Sequence, residues 1–286
     1  MVAQTVLTVE HPLGVFARPT LMEVRLLGRI EIIVDGRPVP LAGRHAQALA
    51  ALLALTRRPR ARDAIAADLW PDALTAANGA LRQALWLLRS AFVAAGVDAR
   101  RILDADADAL GLAQEVDLDL DVARFDAAMT TDPADTDLAI ATYRGELAEC
   151  LGHECFARER ERLADEYEDA LALAAERRLV AHDLLGARDA ALRLVARDPI
   201  REESHAVLLR IHGLEGRRSQ VLRQYRRLRD LLRRELDVDP LPETEAAFRA
   251  ALRDAESRSA EAVIRETIQV RVAKAAVDGL TEVRPS

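Results

Sequence analysis

Between residues 75 and 95 the chain sets out Thr75, Asn78, Arg82, Gln83 and Arg89, with Gly79 and Trp86 among them. Carboxamide and guanidinium groups present hydrogen-bonding atoms at the spacing of base-pair edges, and a glycine lets backbone come close to them. If the stretch is helical, Leu81, Leu85, Leu88 and Phe92 fall into one narrow stripe. Asn78, Arg82 and Arg89 then lie roughly 100° around from it, Trp86 a little further, and Gly79, Gln83 and Ser90 face the opposite side. The spacing predicts a helix that buries its leucine edge and turns amides and guanidinium groups outward, the chemistry of major-groove readout. An ordinary amphipathic surface helix carries the same stripe, so the pattern alone leaves both readings open. Trp86 and Leu87 do not suit a solvated face and imply packing against another surface.

Such a helix needs a frame. Apolar β-type runs punctuated by Gly28 and Asp35-Gly36 predict two or three short strands across residues 23–41, because Asp-Gly between apolar runs is a strong hairpin signal. Helices are predicted over 44–57, over "RDAIAADLWP" up to Pro71, and from a Thr75 or Asn78 cap to about Ala95, with Gly96 as C-cap. "RRILDADADALGL" then predicts two short strands around an Asp-Ala-Asp turn. Strands, three helices and a closing hairpin make a winged helix, a helix-turn-helix variant. From Val122 onward helices are predicted over 122–130, 136–150, 153–181, 183–197, 201–214, 217–236 and 242–257. The breaks fall at Pro133, Gly152, Gly186, Asp198-Pro199, Gly216, Pro240 and Pro242. Successive helices joined by tight turns suggest hairpins stacked like tetratricopeptide repeats, although no regular repeat is visible. The expected fold class is α+β and mostly α: an N-terminal winged helix-turn-helix, then an all-α tetratricopeptide-like domain. The expected divisions are an N-terminal arm at 1–20, a DNA-binding domain at 21–117, a helical domain at 118–257 and a charged tail at 258–286.

Composition agrees with a helical protein of two domains. The chain has 286 residues, half of them apolar but only 3% aromatic, and alanine and leucine, both strong helix formers, abound. Lys274 is the lone lysine, a bias that a GC-rich bacterial genome explains. The net charge of −7 is uneven. Residues 1–96 hold 11 arginines against 7 acids, for +4, while 97–126 hold 3 against 9, for −6. A basic front suits a module that binds an anionic polymer. Candidate phosphate contacts are Arg44 at a helix start, the cluster Arg57, Arg58, Arg60 and Arg62, and Arg100 and Arg101 at the wing root. Asp104, Asp106 and Asp108 at the wing tip would instead repel phosphates, which supply much of non-specific affinity.

Other chemistry finds little support. Cys150, His153 and Cys155 sit close together, but zinc usually takes four ligands and no second pair lies nearby. His182, His205 and His212 are most simply inter-helix hydrogen-bonding residues. No phosphate-binding glycine loop, metal-ligand helix or nucleophile elbow occurs. We therefore expect no catalytic residues, no metal and no cofactor. The arginines of "RRLRDLLRRELD", 226–237, alternate with leucines and read as the solvated face of an amphipathic helix. No run reaches the about 20 apolar residues that span a bilayer, and the start does not read as a signal peptide. A cytoplasmic protein is expected.

The order "VRLLG…IEIIVDGRPVPLAGRHAQALAALLAL…DAIAADLWPD…ANGALRQALWLLRSAF" resembles the DNA-binding domain of the SARP (antibiotic regulatory protein) class of bacterial activators, an OmpR-type winged helix. "VDLDLDVARFDAAM", "YRGELAECL" and the long stretch from Arg197 to Leu252 resemble the bacterial transcriptional activator domain that follows it. Asp198-Pro199, Arg201-Glu202, His205, Gly216-Arg217, Gln224-Tyr225, Leu236, Pro240 and Pro242-Glu243-Thr244 come in the expected order. The resemblance covers about 23–253. It implies a sequence-specific activator that binds direct repeats in double-stranded DNA as a homodimer and contacts RNA polymerase holoenzyme. It places Asn78, Arg82, Gln83, Trp86 and Arg89 on or beside the recognition surface. This chain departs from the pattern at Trp86-Leu87 and at its acidic wing tip. Both departures favour an alternative, a helical-repeat interaction scaffold whose winged helix no longer binds DNA tightly. The class also contains members with nucleotidase, cyclase or phosphopeptide-binding modules; none is expected here, nor is a phosphate-receiving domain.

Overall fold

A computed structural model describes residues 19–73 and 76–281, with side chains described through residue 260 and at 269. The chain divides into two compact units that alternate along the sequence: the first takes described residues up to Arg124 together with Arg144–Arg160, the second Phe125–Tyr143 and residues from Glu161 on.

The first unit opens with strands β1 (Thr20–Arg25), β2 (Glu31–Val34) and β3 (Arg37–Pro38). The Asp35-Gly36 turn has positive φ at both residues, 47° and 77°, the geometry a tight hairpin requires. Helices α1 (Arg44–Thr56), α2 (Arg62–Leu69) and α3 (Ala77–Ala94) follow, with a two-residue strand β4 (Arg60–Ala61) before α2. Strands β5 (Leu103–Ala105) and β6 (Ala109–Leu112) form the wing, and β6 also pairs with β4. The winged helix expected from the element order is thus present.

Two strands were not foreseen, the two-residue β4 and a longer one after the wing. β7 (Val116–Leu120) lies parallel to β1, with Thr20 opposite Val116 and Val24 opposite Leu120, giving the sheet order β3-β2-β1-β7. Directly after it Asp121 is 2% exposed, and its carboxylate accepts from the backbone N–H groups of Leu26, Leu27 and Val122. Burial pushes its carboxyl above the ordinary value, against the pull of those donors.

Helix α4 (Asp121–Thr130) agrees with expectation, but α5 (Thr136–Thr142) stops well short of the predicted 150. The chain from Tyr143 instead passes through bends and turns, with Leu147 in an isolated bridge and Ala148 at a φ of 48°. Gly28 N–H donates to Glu146 O (2.9 Å), Ala148 N–H to Leu26 O (2.7 Å), and Leu27 bridges to Leu147. A Cβ on Gly145 would lie 3.0 Å from Gly28 Cα, so the two backbones cross closely and a side chain at 145 would have to push them apart by a few tenths of an ångström.

The second unit continues with α6 (Ala157–Val180), α7 (Leu184–Arg197), α8 (Glu202–Leu214), α9 (Arg218–Leu236) and α10 (Pro242–Thr281). Helix α8 packs against α7, α9 and α10. Tyr143 and Tyr167 stack at 4.1 Å beneath the Arg197 guanidinium. Gly186 is not a break. It lies in the first turn of α7, where its N–H donates to the capping Asp183 carboxylate (2.9 Å); the turn itself sits at His182, with φ of 60°. Helix α10 runs past the expected end at 257 to Thr281, through a stretch free of proline.

Candidate nucleic-acid interface

Helix α3 is an 18-residue helix whose buried edge is Leu81, Ala84, Leu85, Leu88 and Phe92, none more than 5% exposed. It packs on α1 and α2. Its C-terminus closes as a Schellman turn: Gly96 N–H donates to Val93 O, Val97 N–H to Phe92 O, both at 2.9 Å, and Gly96 takes φ of 73°. Packing of the leucine edge on α1 and α2 sets which face of the helix is buried. Asn78, Arg82, Gln83, Trp86 and Arg89 are all exposed on the other side, and Gly79 is half-buried beside the Arg82 guanidinium. Trp86 is 66% and Val93 67% exposed, a large apolar area for a solvated surface.

The start of α3 differs from expectation. Thr75 lies outside the described residues. The N-cap is Ala76, which makes no side-chain cap hydrogen bond. Asn78 is inside the first turn and caps nothing; its Nδ2 donates to Asp63 Oδ1 on α2 (3.1 Å). Sequence reading passed over Asp63, because no local pattern announces a contact fifteen residues away.

At the wing tip, Asp106 folds its carboxylate back into the turn. It accepts from the N–H groups of Asp108 (2.7 Å) and Ala109 (2.6 Å), and these bonds hold its carboxyl below the ordinary value. Arg62 Nε donates to Asp106 O (2.9 Å), tying the wing to α2. Asp104 and Asp108 remain exposed. Arg62, Asp63, Asn78, Arg82 and Asp108 line one open groove between α2, α3 and the wing tip.

The other arginines stand elsewhere. Arg57 and Arg58 border a second groove with Asp104, Gln114 and Asp117. Arg60 pairs with Asp68 (2.7 Å). Arg100 is exposed on a short 3-10 turn, and Arg101 lines a hollow with Asp35, Arg37 and Asp98. Arg44 begins α1 near His153, whose pKa is lowered first by burial, then by the charges of His45 and Arg44. The structure therefore brings Asn78 and Arg82 together with Arg62, and leaves Arg44, Arg58 and Arg101 lining other places.

The thiol cluster shows no ligand geometry. Cys150 is exposed with its Sγ 3.6 Å from Gln47 Oε1, and burial pushes the Cys155 thiol up. Among the described residues no group of three or more His, Cys, Asp or Glu side chains is placed to hold a metal ion. Among the same residues no helix is long and apolar enough to cross a membrane.

Comparison with known proteins adds the family. Residues 97–253 match the family described as bacterial transcriptional activator domain. No curated protein matches the sequence. Among solved structures, the fold is similar to Mycobacterium tuberculosis EmbR in complex with a low-affinity phosphopeptide, at 23% identity and a TM-score of 0.64, over 87% of this chain and 71% of that one. With that match spanning more than half its length, and with a winged helix ahead of the helical domain, this chain belongs to the bacterial transcriptional activator domain family and is a transcriptional regulator of the SARP class.

Proposed function

We propose that this regulator binds double-stranded DNA by laying the N-terminal half of α3 in the major groove. One observation carries the reading: α3 turns Asn78, Arg82, Gln83 and Arg89 outward on a rigidly seated helix, and among the described residues no carboxylate pairs with either arginine. Unpaired guanidinium groups cost nothing to detach from a protein partner and suit guanine edges or phosphates. Thr75, Gly79 and Trp86 complete the contact surface. Arg44, Arg58, Arg100 and Arg101, which stand apart from this surface, are phosphate contacts along the same duplex. Two protomers occupy direct repeats in a promoter, and the helical domain contacts RNA polymerase as an activator does.

Selection from a randomised duplex library, followed by footprinting, tests this. The chain enriches a repeated motif, and Arg82→Ala loses that motif by about ten-fold or more in affinity while thermal stability stays unchanged. A variant that retains wild-type affinity places the reading surface elsewhere.

The exposed Trp86 and Val93 favour a second reading, in which this face of α3 docks a protein and the helical domain is a scaffold. A wild-type chain that enriches no duplex sequence would support it.

A further inference from the structure

We infer that Asp63 is a specificity-determining positioning residue: it orients the Asn78 amide so that the regulator prefers an amino-bearing base, adenine or cytosine, over guanine or thymine at one operator position. The inference rests on the DNA-binding reading above. An ionised carboxylate has acceptors only, so it can bond Asn78 solely through the amide nitrogen. The observed Nδ2 to Oδ1 bond of 3.1 Å thus fixes which way the amide faces. One N–H is committed to Asp63, leaving Asn78 Oδ1 to receive a donor and the second N–H to give one. Adenine satisfies both through N6–H and N7 and cytosine N4–H satisfies the oxygen, while guanine O6 and thymine O4 can take only the remaining N–H and leave the oxygen against an acceptor.

The charge of Asp63 acts in the same direction. It borders the groove that Asn78 and Arg82 line, and a negative charge there attracts amines and repels carbonyl oxygens. Nor is the carboxylate spoken for as a cap: the N-cap of α2 is Ala61, with no side-chain cap hydrogen bond, and the hydrogen bond Asp63 makes goes to Asn78. Asp63 and Asn78 are both exposed, so holding the pair together adds little to stability and the pair stays within reach of a duplex.

The test is selection of the full chain on a randomised double-stranded DNA library, read as base preference column by column. The wild type shows one column with about five- to ten-fold preference for adenine or cytosine, and Asn78→Ala flattens it. Asp63→Ala flattens the same column to within about two-fold and leaves the others alone, and the double variant does no more than either single one. Asp63→Asn, which can donate as well as accept, narrows the preference without removing it. A wild type that enriches nothing brings down the DNA-binding reading itself. A wild type without such a column, or an Asp63→Ala chain that keeps it, overturns the role of Asp63 alone. So does an Asp63→Ala chain that enriches nothing while Asp63→Asn keeps the full wild-type preference.

Discussion

Helices α3 and α9 each bury a leucine edge and turn arginines outward, yet their arginines keep different company. On α9, Val221, Leu228 and Leu232 are buried, and Arg218, Arg229, Arg233 and Arg234 reach Glu256, Asp230, Asp239 and Glu235 at 2.6–3.3 Å. On α3 no described carboxylate pairs with Arg82 or Arg89. The wing beside α3 is acidic, but its Asp106 is spent on its own turn and its backbone carbonyl on Arg62. A basic amphipathic string therefore does not identify a nucleic-acid surface. What separates the two helices is that acids from the same chain already pair with four of the seven α9 arginines, whereas neither Arg82 nor Arg89 on α3 has such a partner among the described residues.

The comparison breaks first if the two leucine edges are not equivalent. Leu88 on α3 is 1% exposed and Leu228 on α9 is fully buried. Truncating either to alanine should cost about 2–5 kcal/mol, the transfer term plus the cavity left behind. Chemical denaturation of Leu88→Ala and Leu228→Ala measures both. A loss under about 1 kcal/mol in one of them would mean that the helix concerned is held by something other than its apolar seam.

A second difference is polar. Helix α9 is stitched into its unit through Gln224, whose Nε2 donates to His205 Nδ1 (2.9 Å), while His205 Nε2 donates to Pro199 O (3.0 Å). That pairing requires the neutral ring with its proton on Nε2. A second proton, on Nδ1, would face the Gln224 amide donor, and burial independently lowers the His205 pKa. His205→Ala leaves the Pro199 carbonyl and the Gln224 amide unpaired and should cost about 1–3 kcal/mol. The sign of the pH effect follows. The unfolded chain protonates histidine near about pH 6.5, whereas the fold resists it. The stability contributed by the neutral ring is present above that value and is lost as pH falls through the lowered folded pKa. His153 and His212 are lowered in the same direction, burial being the first cause in each. The thermal midpoint should fall between about pH 7 and 5.5, with part of that slope absent in His205→Ala; an unchanged slope would assign it to the other histidines.

The face of α3 was legible because its signal is local. Leucines at helical spacing predict the buried edge, and everything opposite them follows. The Asp35-Gly36 hairpin, the wing strands and the starts and ends of α7, α8 and α9 were legible for the same reason. Three features were not, and each depends on residues far apart in sequence. β7 shows a clean alternation in Val116, Leu118 and Leu120, but its partner β1 lies about a hundred residues earlier. The helix predicted to 150 ends at Thr142, where Gly145–Ala148 meet Leu26–Gly28 in hydrogen bonds and a close backbone approach that the local sequence does not announce. The Asp63–Asn78 pair joins two helices at a rotation that their separate stripes leave undetermined. The acidic wing was legible as charge, but the sequence did not show that one of its aspartates, Asp106, also caps the wing turn.

The finest cut concerns the ion pairs that set α9 apart. Arg233 places Nη2 2.6 Å and Nε 2.9 Å from Asp239 Oδ1, bridging the end of α9 to the turn that follows. Both side chains are more than half exposed, so water screens the attraction and ordering the long arginine offsets part of it. A double-mutant cycle with Arg233→Ala and Asp239→Ala should give a coupling of about 0.2–1 kcal/mol, shrinking as salt is raised. That small energy still does what the comparison needs. To meet a phosphate, Arg233 must first leave Asp239, and the same salt that weakens the pair weakens the phosphate contact equally. The double variant Arg229→Ala with Arg233→Ala should therefore leave the salt dependence of DNA binding unchanged, whereas Arg89→Ala on α3 should lower the slope of log K against log salt by about one. A drop of that size from the α9 variant would place both helices on the duplex and erase the distinction.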